Sequence, residues 1–156
     1  MSEVLIRDEA EQVTAVVHEV VAMSALPDFF ARALSAAAAT AGQQGLGISG
    51  PPFALYHGMP GPQGVDVEAG FPVSGTVRDG GDVVASRLPA GPTAVALHVG
   101  PYEGLPQTYD EVIRRLREEG LAPSTDMWEE YLSDPATEPD PQTWRTVVHW
   151  PARTAG

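Results

Sequence analysis

The chain has 156 residues, 43% of them hydrophobic, and no cysteine. That is enough to bury one core without disulfides, and it rules out thiolate chemistry and Cys-ligated metals. Nine basic residues, none of them lysine, stand against twenty-one acidic ones for a net charge of −12; nucleic-acid affinity rests on Lys and Arg at phosphates, so direct DNA or RNA binding is not expected.

The start, Met1–Glu9, is acidic and lacks the apolar core of a signal peptide. No apolar run approaches the ~20 residues of a membrane span, so a cytoplasmic chain is expected. The first strand signal is Thr14-Ala15-Val16-Val17, followed by Leu26-Pro27 and then by Leu26, Phe29, Phe30, Ala33, Leu34 and Ala37 at helical spacing. Proline suits a first helical turn, and Gly42 stands where the pattern stops. Phe53-Ala54-Leu55-Tyr56 and Val65–Val73 read as strands on either side of a turn-rich stretch, His57–Gly64. Gly75–Gly81 is a flexible connector, and 82–88 has room for a short strand.

The same order then recurs. Thr93-Ala94-Val95-Ala96 and Leu105-Pro106 lie 79 residues after Thr14 and Leu26. A second amphipathic helix follows through Leu105, Tyr109, Val112, Ile113 and Leu116, stopping at Gly120. Trp128-Glu129-Glu130-Tyr131 matches Phe53–Tyr56, and Trp150-Pro151, closing the strand that starts at Trp144, matches Phe71-Pro72. The expectation is one domain over 1–156: α+β, built from two β-α-β-β repeats, about 11–74 and 92–152. Each repeat has antiparallel strands under one long helix. Two such halves should pack about a pseudo-two-fold axis, with a ligand groove at the seam.

His98-Val99-Gly100-Pro101-Tyr102, the Tyr109–Leu116 helix and Trp128-Glu129-Glu130-Tyr131-Leu132-Ser133-Asp134-Pro135 together resemble the second half of the GyrI-like family. That family shares its domain with the effector-binding regions of AraC-type and MerR-type multidrug regulators. Val67–Val73 resembles its third strand, and the likeness extends over about 11–152. The resemblance implies an aromatic-lined groove whose carboxylate meets lipophilic, often cationic, aromatic molecules; carried onto this chain, that carboxylate is Glu129. The family has an apolar residue between its Glu and Tyr, where this chain has Glu130, so which glutamate faces the groove stays open.

Alternation along a strand puts Glu129 and Tyr131 on one face and Trp128, Glu130 and Leu132 on the other. Trp128 and Leu132 suit the helix-covered core, as does Trp144, which leaves Glu129 and Tyr131 for the groove. Tyr56, Glu68, Phe71, Tyr102 and Trp150 are further candidate lining residues. A desolvated carboxylate has a raised pKa and gains a partner in a cationic ligand, and aromatic walls add cation–π attraction. His18, His57, His98 and His149 lack the spacing of metal ligands, so they read as structural or surface residues, with His98 a candidate to order the loop before Tyr102. No metal and no cofactor is expected.

Three functions follow, with binding or sensing of lipophilic cations first. The second, which the resemblance also implies, is hydrolysis of electrophilic cyclopropane-containing natural products, with Glu129 as general acid or base and Tyr131 at the developing oxyanion. The third is a gyrase-inhibitor-like protein presenting an acidic surface. Exposed strands allow a homodimer or another protein partner, and abundant Ala, Gly and Arg without Lys fits a GC-rich bacterial genome.

Overall fold

In the computed structural model, residues 3–79, 81–133 and 137–153 are described. The chain is α+β, and its strands and helices group into two compact units. One unit is Glu11–Pro89; the other joins Met1–Ala10 to Ala90–Gly156.

In the Glu11–Pro89 unit, β2 (Gln12–Val21) leads through a short 3-10 turn into α1 (Leu26–Gln43), followed by β3 (Phe53–His57), β4 (Val65–Pro72) and β5 (Val83–Leu88). All pairs are antiparallel, in the order β3-β4-β2-β5. The other unit follows the same plan. β6 (Gly91–Val99) leads through a 3-10 turn into α2 (Leu105–Glu118), then come β7 (Asp126–Tyr131) and β8 (Arg145–Pro151). Its sheet, again antiparallel, runs β1-β6-β8-β7, with β1 spanning Val4–Glu9. β1 was not anticipated. It lies 79 residues before β5, so a strand precedes each repeat. These leading strands are exchanged: β1 runs into β2 but pairs with β6, and β5 runs into β6 but pairs with β2.

Each helix covers one face of its own sheet. α1 buries Phe29, Ala33, Ala37 and Ala41, an i, i+4 stripe of mostly small side chains. Beneath it lie Ala15, Val17, Val21, Val65, Val67 and Ala69, all buried. Arg32 on α1 reaches Glu19 of the same sheet face through two hydrogen bonds, 2.7 and 3.0 Å. α2 buries Leu105, Thr108, Val112 and Leu116. The prolines stand in the first helical turns as expected. Gly120, at φ +76°, closes α2, with Leu121 N–H donating to the Leu116 carbonyl. In α1 the same role falls to Gly45, at φ +70°, and not to Gly42, which lies inside the helix. The helix runs through Gly42 and ends one residue later, at Gln43, because a single Gly costs only about 1 kcal/mol in a helix interior.

Candidate functional site

Strand alternation and α2 together make the most unusual environment in the Ala90–Gly156 unit. Glu129 is only 2% exposed, and it lies on the face that α2 covers. From α2, the Tyr109 hydroxyl donates to Glu129 Oε2; along β7, the Tyr131 hydroxyl donates to Oε1 at 2.9 Å. Both rings are half-buried, so the carboxyl forms a floor and the tyrosines its rim. Burial pushes the Glu129 carboxyl above the ordinary carboxylate range. Donation from Tyr109, then from Tyr131, and the proximity of His98 pull the other way.

The expected assignment of faces is therefore reversed. Glu129 and Tyr131 face the helix, and Trp128 occupies the opposite face. Trp128 is nonetheless 1% exposed, because its ring stacks on His149 at 4.8 Å and 8°. Glu130 shares that opposite face and pairs with His149 Nε2, while His149 Nδ1 lies 3.5 Å from Glu9 of β1. Glu129, and not Glu130, is thus the carboxyl enclosed between sheet and helix.

Aromatic rings frame this carboxyl. Tyr109 meets Trp150 edge-on at 5.8 Å, and Tyr102 meets Tyr131 at 6.2 Å. Tyr102 also packs against Trp144 at 4.9 Å. Trp144 is half-buried against an exposed Tyr102, not a core residue. The predicted residues Glu129, Tyr131, Tyr102 and Trp150 are thus assembled in one unit. His98 orders the approach to α2: its Nε2 is 2.8 Å from the Pro101 carbonyl and its Nδ1 is 3.1 Å from the Thr108 hydroxyl. A side chain at Gly104 would collide with that ring, as a Cβ there would lie 2.9 Å from His98 Cε1.

Tyr56, Glu68 and Phe71 belong to the other unit. Tyr56 and Phe71 are half-buried on the α1 side of their sheet, in register with Val67 and Ala15. Glu68 faces the opposite side, directly across from His18 on β2 and Leu55 on β3, so it does not join them. Tyr109 is the residue that sequence reasoning missed. Its spacing marked it as a core position, and only its hydroxyl, on an otherwise apolar stripe, hinted at a buried acceptor. The Asp134-Pro135 pair lies outside the described residues. A depression of about 540 Å³ lined by Leu5, Val95, Leu97, Val99 and Val147 opens on the face away from Glu129, so it is not part of this site.

Residues 2–153 match the family model described as GyrI-like small molecule binding domain, and the chain belongs to that family. No match was found among curated protein sequences. Among solved structures, the fold superposes on the EcmrR C-terminal domain with TM-score 0.80 at 19% identity, covering 99% of both chains. Against EcmrR in its DNA complex the TM-score is 0.79, and this chain spans 58% of that longer one. A hydrolase encoded by lin2189 from Listeria innocua gives TM-score 0.65 at 15% identity, covering 97% of this chain and 92% of that one. SAV2435 bound to tetraphenylphosphonium gives 0.61 at 14% identity, covering 97% and 94%.

Proposed function

We propose that this GyrI-like small-molecule binding protein captures lipophilic, cationic aromatic molecules at Glu129. The observation that carries the reading is a buried carboxyl, held by two tyrosine hydroxyls and framed by aromatic rings. An ionised carboxylate out of water lacks a counter-charge, and a cation that brings its own apolar surface supplies one without requiring water. Aromatic faces add roughly 0.5–2 kcal/mol for each cation–π contact. The tetraphenylphosphonium held by SAV2435, a protein of the same fold, is a ligand of this class. Entry requires a tyrosine ring to swing aside, because Glu129 is closed to solvent beneath them.

The test is a calorimetric titration of tetraphenylphosphonium and of a planar rhodamine into wild type and Glu129→Gln, with recovery of the ligand afterwards. Saturable binding of intact ligand that weakens in Glu129→Gln supports the reading. Binding indifferent to that substitution would remove it. A second reading, hydrolysis, is favoured by the raised pKa, which suits Glu129 to general acid chemistry with Tyr131 beside it. Turnover of a strained electrophile that disappears in Glu129→Gln would select it.

A further inference from the structure

We propose that the Glu11–Pro89 unit carries a divalent transition-metal site, formed by His18, His57 and Glu68 on the sheet face away from α1. Three adjacent strands supply one ligand each: β2 gives His18, β4 gives Glu68 and β3 gives His57. His18 and Glu68 are directly opposite in the β2–β4 ladder, and Leu55, two residues before His57 on the same face, is opposite Glu68. The alternation of side chains therefore sends all three to one side.

One ligand atom from each residue lies within 4.8 Å of the others. Ligand atoms around a tetrahedral zinc are about 3.3–3.6 Å apart, given metal–ligand distances near 2.0–2.2 Å. All three are side-chain atoms on one sheet face, so binding calls for side-chain adjustment from these spacings. His57 Nε2 lies 2.5 Å from Glu68 Oε2 and His18 Nε2 2.5 Å from Asp66 Oδ1, hydrogen bonds that a bound metal would replace.

A second observation points to a cation. Glu68 is 5% exposed, and its Oε1 is buried with no hydrogen-bond partner among the described residues. The unused capacity is that of the buried Glu68 oxygen, which lies beside two imidazoles and which a divalent ion would take up. The side chains grade from Glu68 at 7% exposure, through His57 at 27%, to His18 and Asp66 at 43% each. This makes a cup with a buried base and an open rim. Two imidazoles and a carboxylate suit zinc, and they leave the fourth position to solvent.

The experiment uses the full chain without a histidine tag. The protein is equilibrated with zinc, passed through a desalting column and assayed for metal, and its affinity is read by competition with a chromophoric chelator. Cobalt substitution reports the ligand geometry from its visible spectrum. One retained equivalent is expected, with affinity falling at least about tenfold in both His18→Ala and His57→Gln. His57→Gln keeps a donor toward Glu68, and His18 is exposed, so unchanged circular dichroism in both separates loss of metal from loss of fold. No retained zinc in the wild type would overturn the proposal. So would several weak equivalents that neither substitution alters.

Discussion

The two units share a backbone plan but differ in the polar residues they hold at equivalent positions. In the Ala90–Gly156 unit, Tyr109, Glu129 and Tyr131 meet beneath the helix. Their repeat counterparts are Phe30, Ala54 and Tyr56, so the first unit keeps only one of the three polar groups there, a tyrosine hydroxyl. On the other face the contrast inverts. His18, His57, Asp66 and Glu68 cluster in the first unit, where the second has Leu97, Leu132, Arg145 and Val147. Leu97 and Leu132 are both exposed. A duplicated fold can thus keep its hydrogen-bonded frame while its two sheet faces diverge, because side-chain alternation makes the faces independent. The strand pairs also differ locally: Trp128 opposes and stacks on His149, whereas Phe53 opposes Gly70.

The largest expected effect breaks this comparison outright. Ala54→Glu places a carboxyl at a fully buried position lacking the second tyrosine. We expect destabilisation of about 3–5 kcal/mol in urea melts, as for a buried unpaired charge. Adding Phe30→Tyr should recover part of the loss; no recovery would show that the two helix-side environments are not equivalent.

Gly70→Ala follows. A Cβ at Gly70 would lie 1.9 Å from the Ala15 carbonyl oxygen. Close approach of β2 and β4 forbids any side chain there, and a cost of about 3 kcal/mol or more is expected from thermal unfolding. A neutral result would mean that the strands can spread.

Glu129→Gln should weaken binding of a lipophilic cation by about 1.5–3 kcal/mol, the range for a hydrogen bond to a charged group. A neutral aromatic of the same size should bind both proteins alike. The pH dependence sharpens this. Burial raises the Glu129 pKa, so the folded protein holds that proton at pH values where the unfolded chain has lost it. Stability from this group is full below the ordinary value of about 4.3 and declines as pH rises through the folded pKa. Cation affinity runs the other way, rising with pH through the same interval as the carboxyl ionises. Both trends should flatten in Glu129→Gln; a persistent pH dependence would assign the titration to another group.

The smallest effect is expected from Tyr131→Phe. It removes the 2.9 Å donor to Glu129 Oε1 and should raise the carboxyl pKa further. Cation affinity at neutral pH should fall by about 1 kcal/mol. A larger loss would give Tyr131 a direct contact with the ligand.

What the sequence alone determined is local or periodic. The 79-residue offset, the two proline-started helices and the alternating strands follow from patterns that repeat every two or 3.6 residues. Glu129 and Tyr131 were legible as neighbours on one strand face, and their paired motif carried the family resemblance. β1 was not, because Val4–Glu9 is a short, half-polar edge strand that is ordered by tertiary partners, pairing with β6 and donation from Arg115 of α2 to the Val4 carbonyl. Gly45 in place of Gly42 was a matter of helix ends, where propensity differs by fractions of a kcal/mol.

Tertiary structure decided which face of β7 meets α2, since alternation defines two faces without saying which one is covered. It also brought Tyr109 to Glu129, and His18 and His57 to Glu68. Those partners come from separate elements, 20 residues apart in one case and 11 to 50 in the other. No spacing rule reaches across strands whose proximity is created by sheet pairing, so contacts of this kind become visible only once the chain is folded.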